Sequence, residues 1–268
     1  MHSRLLSAAL VMVSLGGAVR VSEAAEGLQI VQRVTSGPNP VTTQTQLENT
    51  RLRSEITDQK GTAQVIIFDG SKQVLYIVDN ARKTYSEMTK ADVDKMQAQM
   101  AGVMTQMQAA LEKMPPAQRA QMEALMKGRM GGAAAPAPKI ESKRGGTDKV
   151  GRWTCDKYEV LTNGVKTADV CTVDPSALGV TVKDLEVSRQ LADFFSALVP
   201  QIAAQIAVVG RPETQGFSGF PVKSTMYVGG QTVTTEVVEA SRQTFADSLF
   251  SVPAGFTKQT MPMLAPGR

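Results

Sequence analysis

Residues 153–173 read WTCDKYEVLTNGVKTADVCTV, two β-prone runs on either side of Asn163-Gly164. Asn-Gly between such runs is the strongest short-range signal for a hairpin. A three-residue loop with Gly164 in the left-handed conformation pairs Leu161 with Val165. Carried outward, that register sets Cys155 directly across an antiparallel ladder from Cys171. A two-residue loop would set Cys155 against Thr172 and would require a bulge. These are the only two cysteines in the chain. Oxidised, they close a loop of about 15 residues, worth roughly 3 kcal/mol in the chain-entropy model. Neither a C-x-x-C spacing nor a helix N-terminus lowers a thiol pKa here, so the pair reads as a structural staple rather than a redox couple.

Upstream of the hairpin, short β-prone runs at 28–35, 41–56, 62–68, 73–78 and 83–88 alternate with Gly, Pro, Asn and Asp clusters. That rhythm predicts an antiparallel meander. The second run is long, and its apolar side changes parity between Leu47 and Leu52, which predicts a bulge or strong bend near Asn49. From Thr89 the period becomes helical. Met96, Met100, Met104, Met107, Leu111 and Met114 share one face, with Thr89 as cap and Asp92 three residues on. Pro115-Pro116 ends this helix, and a second one is expected to carry Met122, Leu125, Met126 and Met130. Residues 131–138, rich in Gly, Ala and Pro, read as a flexible connector closing a helical insertion at 89–130.

Downstream, 183–209 is again helical, with Val187, Leu191, Phe194, Phe195, Leu198, Ile202 and Ile206 in one stripe and Pro200 as a kink. Residues 194–210 carry no charge, but Pro200, Gln201 and Gln205 argue against a membrane span. Strands at 221–228 and 231–240 meet at Gly229-Gly230, and a shorter strand is expected at 248–252. Residues 259–268 form a polar tail.

The N-terminus is expected to be a signal peptide at 1–25. Met1 to Arg4 carries one positive side chain, residues 5–19 are apolar, and Ser22 and Ala24 supply the small residues for cleavage after Ala24 or Ala25. With no cysteine beside the cut, lipid attachment there is excluded. The mature protein is then periplasmic or secreted, in an oxidising space that suits the disulfide, and has no transmembrane segment after cleavage. Loss of Arg4, Arg20 and Glu23 takes the formal charge from +4 to +3. That small, scattered excess does not argue for nucleic acid.

The one histidine is His2, inside the segment to be removed. Ser-His-Asp and Cys-His catalysis, and zinc sites of the usual kind, are therefore excluded. There is no S-x-x-K, Walker loop or G-x-G-x-x-G, and no cofactor is called for. Residues 216–219 miss the G-x-S-x-G elbow by one position. Acid pairs such as Asp92 and Asp94 read as a solvated helix start. A non-catalytic protein is expected, the minority reading being a hydrolase built on acids and lysines alone.

Several local phrases act together. They are RLRSE at 51–55, YIVD at 76–79, KTYSEM at 83–88, CDKY at 155–158 and FSVPAGF at 250–256. With the element order they resemble an uncharacterised family of exported bacterial domains related to the LolA/LolB-type lipoprotein carriers. The resemblance covers most of residues 28–258. It implies a single α+β domain over 26–258, a curved antiparallel sheet forming an incomplete barrel whose concave face is covered by helices. Carriers of this kind hold acyl chains between sheet and lid. The long methionine-bearing helix and the cysteine staple depart from the pattern.

Methionine is unbranched and polarizable, which suits surfaces that accept ligands of varying shape. On that basis the candidate ligand-binding lid comprises Met100, Met104, Met107, Leu111, Leu191, Phe195 and Leu198. Its expected ligand is a hydrophobic small molecule or the acyl chain of a lipid or lipopeptide. The plain alternative is core packing, and thioether binding of copper(I) is a third. A second functional reading is an envelope scaffold that docks on a protein partner through the Met-rich helices, with no ligand in the sheet.

Overall fold

The computed structural model describes residues 25–58, 61, 63–115, 118–119, 139–196 and 216–261. The expected signal peptide apart from Ala25, the second methionine helix at 122–130, the connector at 131–138, Leu198, Pro200 and residues 262–268 lie outside them.

Six strands come first: β1 (Ala25–Ser36), β2 (Val41–Leu47), β3 (Arg51–Thr57), β4 (Ala63–Asp69), β5 (Val74–Asp79) and β6 (Thr84–Thr89). Helix α1 (Lys90–Glu112) follows directly. Then come β7 (Ile140–Val150), β8 (Trp153–Thr162), β9 (Val165–Val173) and helix α2 (Val182–Ser196). Strands β10 (Phe220–Val228), β11 (Gln231–Phe245) and β12 (Thr257–Gln259) complete the described chain. All twelve strands lie in one open sheet, in the order β12-β6-β5-β4-β3-β2-β1-β11-β10-β9-β8-β7. Every neighbouring pair is antiparallel except β12 on β6. The expected α+β class, an open antiparallel sheet with helices, is what the chain adopts.

The meander reads as expected, with one correction. The run 41–56 is two strands. Leu47 and Leu52 face each other across a hairpin whose turn is closed by Glu48 N–H donating to Arg51 O at 2.8 Å. The parity change is therefore a full reversal of direction and not a bend within one strand.

The cysteine hairpin forms, in a different register from the one expected. Thr162 pairs with Val165, so the loop is the two residues Asn163 (φ 53°) and Gly164 (φ 79°). Two left-handed residues match the twist of the flanking strands. Asn tolerates that conformation well enough to make a third loop residue unnecessary. Thr167 is then an extra residue, because Val160 pairs with Ala168 and Leu161 with Lys166. This bulge sets Cys171 opposite Lys157, two positions from Cys155. The disulfide Cys155–Cys171 forms along the diagonal, with Cα atoms 5.4 Å apart.

Three further differences concern strands. β7 has no apolar alternation, and all of its residues but Ser142 and Val150 are exposed; only pairing with β8 reveals it. Gly145 and Gly146 bulge opposite Lys157, with Gly146 at φ 91°. The strand expected at 248–252 is instead a 3-10 turn, Asp247–Phe250. Its apolar residues reflect packing rather than alternation. β12 was not expected at all.

β4 explains the two-sided core. Its run Val65-Ile66-Ile67-Phe68 is apolar on both faces, as in a strand buried from both sides. On the front, Phe68 joins Leu28, Leu47, Leu75 and Met88 beneath Val187, Leu191 and Phe194 of α2 and Val93 of α1. Phe68 meets Phe194 edge-on, centroids 5.5 Å apart. On the back, Val65, Ile67 and Val78 are covered by Phe245, Leu249, Phe250, Val252 and Phe256.

Candidate functional site

Helix α1 begins where β6 ends. Thr89 Oγ1 accepts from Asp92 N–H at 3.2 Å, and Asp92 Oδ2 accepts from Thr89 N–H at 2.9 Å, a reciprocal capping box. Asp92 is held below its ordinary carboxylate range chiefly by the Thr89 side-chain and backbone hydrogen bonds. That charge favours the positive end of the helix dipole. At the other end Arg119 Nε donates to Leu111 O at 2.9 Å, and its Nη2 donates to Glu112 O at 2.7 Å. Leu111 O also accepts from Met114 N–H at 3.1 Å, so the guanidinium reinforces one terminal carbonyl and supplies a donor to the next, Glu112 O.

Between these caps the apolar face changes environment. Val93 is fully buried and Met96 is half-buried against the front core. One turn on, Met100 is 53% exposed and Val103 is 61% exposed. Met107 is half-buried and Leu111 is buried. No charged residue occurs from Gln97 to Leu111. A charge-free stretch of about four helical turns with large apolar side chains in solvent is unusual for a surface element, because burying such a face is what ordinarily stabilises a helix in a protein.

Helix α2 carries the remaining expected residues. Leu191 is buried in the front core, and Phe195 is half-buried, edge-on to Phe194 with centroids 5.3 Å apart. The two helices touch. Of the seven expected lid residues, Leu191 and Phe195 pack in or against the core, Leu111 is buried at the far end of α1, and Met100 and Met107 border solvent. The Met104 side chain and Leu198 fall outside the described residues.

Sequence reasoning missed the clamp on α2. Asp184, 3% exposed, accepts from Thr181 N–H at 2.7 Å and from Arg242 Nη1 at 2.9 Å. Arg242 also donates to Gly179 O at 3.1 Å and to Glu26 at 2.7 Å. The helix start is thus tied to β11 and β1. The T-x-x-D spacing at 181–184 was the available signal.

A shallow polar groove runs across β8, β9 and β10, lined by Lys157, Glu159, Lys166, Asp169 and Lys223. Its charges are mutually engaged. Lys166 lies 2.8 Å from Asp169 and 3.4 Å from Glu159, and Lys223 lies 3.7 Å from Glu236. Burial pushes the Asp169 carboxyl up, but hydrogen bonds from Lys166 and Tyr227 outweigh it and hold the group below its ordinary range. Such a carboxylate stays ionised near neutral pH and has no proton to give. Among the described residues no three His, Cys, Asp or Glu side chains converge as a metal site would require. Nor is any described helix long and apolar enough to cross a membrane.

No curated protein matches the sequence. Solved structures with a similar course include an uncharacterized conserved protein from Thermus thermophilus. It is 7% identical, with 90% of this chain and 93% of that chain covered and a TM-score of 0.43. The MucA/MucB complex of Pseudomonas aeruginosa is 11% identical, covering 90% of this chain and 60% of that chain at a TM-score of 0.39. A family model described as a domain of unknown function, DUF4412, matches residues 88–256. That span takes in α1, the cysteine hairpin, α2, β10, β11 and the back-face segment, and the chain belongs to the DUF4412 family.

Proposed function

We propose that this protein is a non-catalytic binding module of the cell envelope, exported by its N-terminal segment, which docks on a protein partner through α1. The observation that carries the reading is the passage of one apolar helix face from core into solvent, from Val93 at 0% exposure to Val103 at 61%. Covering Met100 and Val103 would contribute about 2–4 kcal/mol at the usual return per buried side chain. That is a useful fraction of a micromolar complex. Methionine tolerates imperfect shape, so the same face can accept more than one geometry.

The acyl-carrier reading is the alternative, favoured by the half-buried Phe195 on α2, which touches α1. Against it stands the front face itself, already filled by Phe68, Leu191, Phe194 and Trp153. A lipid site normally encloses most of its ligand, whereas these described side chains pack against one another.

A photo-crosslinking residue at position 100, with one at the exposed Val238 as control, tests the choice. Docking predicts a discrete protein adduct from position 100 that is lost on adding Val103→Glu, and natively purified protein free of lipid by mass spectrometry. Stoichiometric lipid that disappears with Met100→Glu would replace docking by the carrier reading. No adduct and no lipid would end both.

A further inference from the structure

After β11 the chain becomes a strap. Residues 246–256 cross the back face, β12 adds to the edge of β6, and Lys258 reaches Glu87 at 3.1 Å. Met261, 4% exposed, then joins the front core. One segment thus holds both faces of the sheet.

Its first anchor is Arg51. The guanidinium donates from Nη2 to Asp247 Oδ1 at 2.8 Å and lies 4.7 Å from the Phe250 ring centroid. Arg51 also donates from Nε to Glu48 Oε2 at 2.8 Å. Glu48 is only 4% exposed, and among the described residues no donor reaches its buried Oε1. Two residues earlier, Gln46 is 5% exposed and its Oε1 is equally without a protein donor, while its Nε2 is directed at Gln29. Two buried acceptors without donors are costly, and one added proton relieves the carboxylate.

We propose that Glu48 is a proton-binding site that sets the grip of the C-terminal strap. Ionised Glu48 shares Arg51 with Asp247, whereas protonated Glu48 leaves Arg51 to Asp247 and seats the strap. Among the described residues the charged groups around it are Arg51 on β3, Asp247 on the 3-10 turn, and, on the neighbouring β4–β5 turn, Asp69 paired with Lys72 at 2.8 Å. In keeping with this, burial drives the Glu48 carboxyl above its ordinary range; the Arg51 hydrogen bond and charge oppose the rise without cancelling it, and the Asp247 charge adds to it. A carboxyl raised in the folded state binds its proton more tightly there than in the open one. Its contribution is complete below the ordinary carboxylate pKa and is lost as pH rises through the raised folded value.

The test is amide hydrogen exchange across residues 249–259 of the whole protein, corrected for intrinsic pH dependence and referenced to β8 and β9. Wild-type protection is expected to fall as pH rises from acid to neutral, by up to about tenfold for each unit by which the pKa is raised. Glu48→Gln should hold the acid-state protection at every pH, and Asp247→Asn should lower it throughout. A flat wild-type profile, or an unchanged slope in Glu48→Gln, overturns the proposal. If Glu48→Gln does not fold, a carboxyl NMR titration of wild-type Glu48 decides: a pKa at or below the ordinary value overturns it.

Discussion

Gly27 shows how much one missing side chain can carry. A Cβ there would lie 2.4 Å from Leu47 O and 2.7 Å from the Phe245 ring, so backbone and aromatic ring both close on it. Gly27→Ala is expected to destabilise by about 1–3 kcal/mol through overpacking, read as a lower denaturant midpoint at unchanged slope. At Gly164 the cause differs. Space is open around it but φ is 79°, so Ala should cost only about 1 kcal/mol of left-handed strain. The Cys155–Cys171 bond was legible because Asn163-Gly164 fixed the hairpin and left the two sulfurs near each other. The register was not legible. Nothing local distinguishes Thr167 as the extra residue between the Val160–Ala168 and Leu161–Lys166 pairs. Replacing both cysteines by Ala should lower stability by roughly 3 kcal/mol, and differential scanning calorimetry would measure it.

Helix α1 was readable in its start, its face and its end, because the capping box and the spacing of Met96, Met100 and Met107 are local properties. What covers each turn was not readable, since periodicity names a face and not its neighbour. Burial divides that face, and substitution should follow the division. Leu191→Ala on α2, in the front core, should cost about 2–5 kcal/mol. Met100→Ala, in solvent, should stay within about 0.5 kcal/mol. Equal losses in chemical denaturation would mean that α1 is core along its whole length. β7 escaped detection for the reverse reason: an edge strand with Glu141, Lys143, Arg144, Asp148 and Lys149 has no buried face to write into its sequence. Those charges also discourage pairing with another chain along its open edge.

For the molecule as a whole, the succession of antiparallel strands could be anticipated, because short β runs and turns alternate. The central join could not. β1 pairs with β2, its neighbour in sequence, and along its other edge with β11, which arrives some two hundred residues later. Turn chemistry identifies hairpins, whereas a pairing across such a distance depends on the shape of everything between. The strap has the same character, tying β12 to β6 and Met261 to the front core. The seam between β1 and β11 has a practical corollary. A protease that cuts the backbone once between Arg119 and Lys139 would yield two pieces still zipped together by that ladder and buckled by the final segment. Such halves, expressed separately, should find each other and reassemble.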